Sequence, residues 1–218
     1  MAVLSVLKEQ DMNGIINIGL LTILAAASVI DLLVPLIISR KYPGYNHLTD
    51  TISTLGSADS PVKKYQGINL VIAGILFILF STGEYLYSDQ KSWSFIWYSV
   101  SIIIFGIGCI FAGFFPEDIQ GSPETISGKI HGITSGIGFL FLISAPLSAI
   151  WIKELEPLKT LNLILFIPGL LTFALFIISE KITSGILKFT GLFQRLDLVI
   201  LYGSLNTNFL FIILSKAR

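Results

Sequence analysis

The stretch WSFIWYSVSIIIFGIGCIFAGF, residues 93–114, runs its full length without a charged side chain. A helix of that length, rising 1.5 Å per residue, crosses a hydrocarbon core of ~30 Å. Five more apolar runs of similar length flank it, at roughly 14–39, 65–87, 128–150, 160–180 and 192–214. The whole chain is 53% hydrophobic and 13% charged, and its mean hydropathy is +0.81. Soluble domains carry roughly 25% charged residues, about twice as many. These features lead to an expectation of an all-α, polytopic protein of the cell membrane. It is a single six-transmembrane-helix bundle over residues 1–218, with membrane lipids as its surroundings.

Fourteen basic residues balance fourteen acidic ones. A balanced chain has no basic footprint for nucleic acid, and none is expected as a partner. Cys109 is the only cysteine. It can close no intramolecular disulfide and belongs to no metal or redox pair, so it reads as a small core residue. The first apolar run is longer than the ~7–15 residues of a signal h-region and contains Asp31 and Pro35; it reads as a retained helix.

Six spans put both ends on one side, here side A, with the loops 88–92 and 151–159. Side B then holds the loops 40–64, 115–127 and 181–191. Basic residues near span ends set orientation, but they are nearly balanced here. Side A has Lys8, Lys91, Lys153, Lys159, Lys216 and Arg218. Side B has Arg40, Lys41, Lys63, Lys64, Lys129, Lys181, Lys188 and Arg195. Charge does not orient the chain. Trp93, Trp97 and Trp151 near side A, and Tyr42, Tyr45 and Tyr65 near side B, are placed to anchor at the headgroup level.

Most ionisable residues within the apolar stretches gather at side B. A charge in hydrocarbon costs several kcal/mol and persists where it is paired, wetted or used. Asp31, His47, Asp50, Asp118, His131, Arg195 and Asp197 therefore mark that end as the polar site. His47, Asp50 and Ser53 recur at three-residue intervals and would align on a short interfacial helix, ready for a headgroup, a cation or a proton. The alternative is a solvated loop that caps span ends. Asp31 lies about 12 Å deep on helical rise. Arg195, beside Gln194 and Asp197, is its candidate ion-pair partner, with Asp197 equally placed to be the acid that Arg195 pairs with, whether that pair works or merely fastens helices. His131, with Glu117 and Asp118 on the preceding loop, has the makings of an acid–base pair. Glu84, near side A, is expected to snorkel to the interface, and Asn206 and Asn208 to fix helix contacts. Gly128, Gly132 and Gly136 form an i, i+4 stripe with His131 and Ser135 alongside. Together with Gly106, Cys109 and Gly113 it predicts a close crossing of spans three and four. Ser122 reads as the N-cap of span four.

Nucleotide-binding, nucleophile-elbow and zinc-protease signatures are absent. Two histidines are few for a three-ligand zinc site, so no metal ligand is assigned and no cofactor is identified.

The motifs do resemble a family. Tyr45, His47 and Ile52-Ser53-x-Leu55-Gly56 on the first loop come first, then Phe115-Pro116-x-Asp118 with His131. Gly191-x-x-Gln194-Arg195 opens span six. In this order they resemble the prokaryotic six-span membrane family catalogued as domain-of-unknown-function 998, over nearly the whole chain. A more distant similarity is to DRAM-type and Frag1-type membrane proteins, carried by Ile52, Ser53, Gly56, Pro61 and His131. That resemblance implies lipid-linked chemistry and a first loop outside the cytoplasm, although Thr54 and Leu55 stand where that group has an acidic residue.

Three functions follow as expectations. The first is a polar pocket at side B that binds or processes a lipid headgroup or other amphiphile. His131, Asp118 and Ser53 would be its catalytic groups; His47, Asp50, Arg195, Gln194 and Asp31 would bind the ligand. The second is a proton- or ion-coupled transporter, which needs polar residues continuing to side A, whereas spans three and five are apolar in the middle. The third is a structural or assembly subunit. Whether the chain is an enzyme is left open by the sequence.

Overall fold

The computed structural model describes residues 2–119, 121–181 and 185–216, with side chains from residue 12 onward. Six long helices make up the chain: α1 (Ala2–Ile38), α2 (Lys63–Tyr87), α3 (Trp93–Phe114), α4 (Ile126–Ala149), α5 (Lys159–Ser179) and α6 (Thr190–Lys216). All six contain a segment long and apolar enough to cross a membrane, and no strand occurs among the described residues. Lys8 and Arg218, counted above for side A, fall outside the described side chains.

The helix starts follow from local chemistry. Ser92 caps α3 by accepting from the Phe95 amide at 3.3 Å, which satisfies one of the orphan N–H groups at a helix start. Thr125, not Ser122, caps α4, accepting from the Gly128 amide at 3.1 Å. The Ser122 hydroxyl instead donates to the Ile119 carbonyl at 2.7 Å. α4 begins at Ile126, so only Thr125 is close enough to reach its first turn.

Glycines set the closest crossings. A Cβ on Gly67 would sit 2.7 Å from the Gly113 carbonyl oxygen, and one on Gly113 2.6 Å from that of Gly67. Seven residues further along α2, Gly74 stands in the same relation to Gly106. Gly106 and Gly113 thus serve the α2–α3 contact. α3 and α4 do cross closely, as expected, but through Gly108 and Gly138, with Gly138 Cα 3.3 Å from a Cβ built on Gly108. Gly132 and Gly136, expected in that seam, have open space where a Cβ would be. The i, i+4 stripe therefore does not face α3. His131 is nonetheless turned inward, with 4% of its surface exposed.

Rings stack through the bundle centre. Phe77 meets Phe105 and Tyr202 at 5.2 Å each, and Phe139 meets Phe173 at 5.8 Å. These pairs join α2, α3 and α6 on one side and α4 with α5 on the other. Outside, isoleucine and leucine side chains such as Ile18, Ile72, Leu79, Ile164 and Leu171 are exposed on all sides. In water such a belt would be a liability; in lipid it is the natural surface. The molecule is a multi-pass membrane protein in a lipid environment.

Candidate functional site

The first side-B loop is held down by the start of α6. The amides of Gly191 and Leu192 donate to the carbonyls of Thr49 (3.3 Å) and Leu48 (3.0 Å). The Arg195 Nη1 donates to the carbonyls of His47, Asp50 and Gly191 at 2.8–2.9 Å. Its Nη2 donates to the Tyr45 hydroxyl, which itself donates to the Thr51 carbonyl at 2.8 Å. Gln194 Oε1 accepts from the Ile52 amide at 2.6 Å. Glycine is required at 191: a Cβ there would strike the Asp50 carbonyl oxygen and lie 2.7 Å from Arg195 Nη1. The Gly191-x-x-Gln194-Arg195 motif is therefore a latch on residues 47–52.

His47 sits inside that latch. Arginine only donates, so His47 Nδ1, 3.3 Å from Arg195 Nη2, is the acceptor and Nε2 carries the proton. Nε2 donates to the Ser39 hydroxyl at 3.1 Å, and that hydroxyl passes its own proton to the Leu36 carbonyl at 3.0 Å. Burial, then the Arg195 charge, holds His47 below its ordinary value. Burial pushes Tyr45 up to about 12, although Arg195 pulls the other way. Asp50 caps its own turn, accepting from the Asn46 amide at 2.8 Å and the Thr49 hydroxyl at 3.0 Å. Arg195 thus meets the His47 ring and the backbone of residues 47 and 50, while the Asp50 carboxylate is turned to its own turn. The expected helical row is not formed: His47 and Asp50 lie in turns, and Ser53 starts a separate 3-10 turn, Ser53–Gly56.

Beneath the latch lies a cavity of about 40 Å³, enough for a few water molecules at ~10–15 Å³ each. Asp31, Ser53, Ser135 and Gln194 give it its polar wall, and Cys109 and Phe139 are among its apolar lining. Asp31, 3% exposed, does not pair with Arg195 as the sequence suggested. Its Oδ2 accepts from the Tyr202 hydroxyl at 2.6 Å, while Oδ1 has no partner. Both Nη groups of Arg195 are instead turned to the His47, Asp50 and Gly191 carbonyls, the Tyr45 hydroxyl and His47 Nδ1.

Other buried polar groups stand outside the lining of this cavity. Gln66 and Asn69 of α2 have no partner for either amide atom, and Asp197 Oδ2 and His131 Nε2 have none. His131 Nδ1 lies 2.9 Å from the Phe115 carbonyl. A carbonyl only accepts, so Nδ1 carries the proton and the free Nε2 is an acceptor. Asp118 is not joined to His131: Thr125 donates to both its oxygens, from the amide at 2.8 Å and the hydroxyl at 2.6 Å. Those bonds hold the Asp118 carboxyl below its ordinary value. Its neighbour Glu117 is pushed up to about 7, by burial first and then by Glu180 and Asp118.

A polar column runs from this chamber toward side A on α6. One face meets α5: Asp197 accepts from Thr172 (3.2 Å), and Ser204 donates to Asn162 (3.0 Å). Asn162 and Asn208 exchange amide hydrogen bonds at 2.9 Å each way. The other face meets α1, through Tyr202 to Asp31 and Asn206 to Ser28 (3.0 Å). Asn206 and Asn208 fix helix contacts, as expected. From Gln194 to Asn208 the column covers ~21 Å of rise. Spans three and five are apolar in their middles, as read; the polar path is carried by α6 instead. Glu84 departs from the sequence reading. It is only 4% exposed and neither carboxyl oxygen has a partner, so it does not snorkel. α2 turns it inward, into the bundle.

Among the described residues no group of three or more His, Cys, Asp or Glu side chains is arranged to hold a metal ion. A family model described as "Protein of unknown function (DUF998)" matches residues 25–206. No curated protein and no solved structure matches the chain.

Proposed function

The chain belongs to the DUF998 family, whose function is unknown, and we propose that it translocates protons along α6. Asp31 is the observation that carries this reading. One of its oxygens is held by Tyr202, midway along the polar column. The other has no donor, and the residue lines a cavity of water size. A buried carboxyl group without a donor in a low-dielectric site is stable only with a proton, a cation or water against it. Of the residues that line the cavity, Asp31 is the one with a buried polar atom lacking a partner, and that atom, Oδ1, is an acceptor. That chemistry suits a proton or hydrogen-donating water.

An anionic headgroup fits less well. It would need the Arg195 guanidinium, both of whose Nη groups already have acceptors, and more room than about 40 Å³. Purified chain in liposomes loaded with a pH-sensitive dye tests the proposal. A potassium diffusion potential should drive proton entry through the wild type and far less through Asp31→Asn. Wild-type entry no faster than in protein-free vesicles would overturn it.

A further inference from the structure

Glu84 lies closer to side A than Asp31 does. It is buried with both oxygens unpartnered, and the buried Tyr98 hydroxyl of α3 has no partner either. Asn208 of α6 lies beside Tyr98. Asn208 is six residues beyond Tyr202, the Asp31 partner, which is ~9 Å along the helix. Among the described residues, Tyr98 on α3 and Lys216 in the last turn of α6 are the titratable groups close enough for their charges and that of Glu84 to act on one another.

Just outside this cluster is a cavity of about 80 Å³, lined by Ser88, Phe95, Glu154, Ile212 and Lys216 among others. Each helix that supplies the Glu84 cluster also supplies this cavity about one turn further out: Ser88 follows Glu84, Phe95 precedes Tyr98, and Ile212 follows Asn208. Polar groups stand in its wall, with Glu154 Oε1 accepting from Gln90 Nε2 and its Oε2 unpartnered. A buried acid therefore stands one turn below a side-A vestibule wide enough for water.

We infer that Glu84 is a second proton site, exchanging with side A through this vestibule and with Asp31 through the α6 column. The inference rests on proton translocation as the function, and it makes the path a two-carboxyl relay. A proton taken up by Asp31 from the side-B chamber leaves from Glu84 to side-A water, with each carboxyl returning to its starting form. Tyr98 is a positioning residue for Glu84.

Two measurements on the full chain test it. Infrared difference spectra between acidic and alkaline buffer should contain a carboxyl band that is lost in Glu84→Gln, shifted in Tyr98→Phe and retained in Asp31→Asn. In the dye-loaded liposomes, Glu84→Gln should slow proton entry about tenfold or more, a barrier increase of ~1.4 kcal/mol. A spectrum unchanged by Glu84→Gln, or wild-type flux in that variant, would overturn the Glu84 site while leaving Asp31 standing. A Glu84 band in a wild-type protein that moves no protons would instead sink the translocation reading and keep Glu84 as a proton-binding group.

Discussion

Replacing Gly191 with alanine probes the latch at its tightest point. The new Cβ would collide with the Asp50 carbonyl oxygen and lie 2.8 Å from its carbon. Ordinary carbon contacts are ~3.5–4.0 Å, so the loop must retreat by about 1 Å. Such a shift stretches three bonds past the hydrogen-bonding range. These are Gly191 to Thr49 (3.3 Å), Leu192 to Leu48 (3.0 Å) and Arg195 to Asp50 (2.9 Å). With about 1 kcal/mol for each neutral bond and ~1.5–3 for the charged one, the loss is ~4 kcal/mol. For a chain of this size that corresponds to a melting temperature lower by about 10 °C. Cys109, the only cysteine and 8% exposed, supplies the assay: a thiol-reactive fluorogenic dye reports its exposure on heating in detergent. A Gly191→Ala protein that melts with the wild type would refute the latch. Gly203→Ala, where nothing lies within 4 Å, is the control and should change little.

Three further outcomes follow from the geometry. His47 is held neutral in the fold. Its contribution is fully present above the unfolded value of ~6.5 and lost as pH falls toward the folded one, so thermal stability should drop on acidification, and less steeply in His47→Gln. Glu117, at about 7, has the opposite sign. Its contribution is lost as pH rises through that value, so Glu117→Gln should gain stability over the wild type in alkaline buffer and little in acid, in the same dye melt. In the reciprocal amide pair, Asn162→Leu should cost ~1–3 kcal/mol by stranding the Asn208 amide. The Asn162→Leu, Asn208→Leu double variant should recover part of that loss, and a double-mutant cycle with no coupling would disprove the pairing.

The sequence carried the fold because the hydrocarbon leaves few alternatives. A run such as 93–114 can satisfy its backbone in lipid only as a helix, and all six helices lie over the apolar runs. The polar end was legible for the same reason, since buried charges are rare enough to stand out. Partnerships were harder to read. Asp31 and Arg195 are opposite charges at one end, but hydrogen-bond supply decided the outcome: five carbonyl, hydroxyl and ring acceptors on and around the first loop claim the guanidinium, and a tyrosine hydroxyl serves Asp31. Glu84 was misplaced because its depth near side A allows either snorkelling or burial, and only the rotation of α2 decides between them. Tyr202, Asn162, Gln66 and Asn69 are neutral, so charge gave no signal for them. The polar face of α6 was the clue available, with Asp197, Ser204 and Asn208 repeating at helical spacing against α5.

The claim that Asp31 and α6 form a proton path is tested most directly by the ratio of proton entry rates in dye-loaded liposomes, wild type against Asp31→Asn, at equal protein density. The path predicts a wild-type rate well above that of empty vesicles and a ratio of about ten or more, equivalent to ~1.4 kcal/mol or more of barrier. A ratio of one, or a wild-type rate equal to that of empty vesicles, would contradict it.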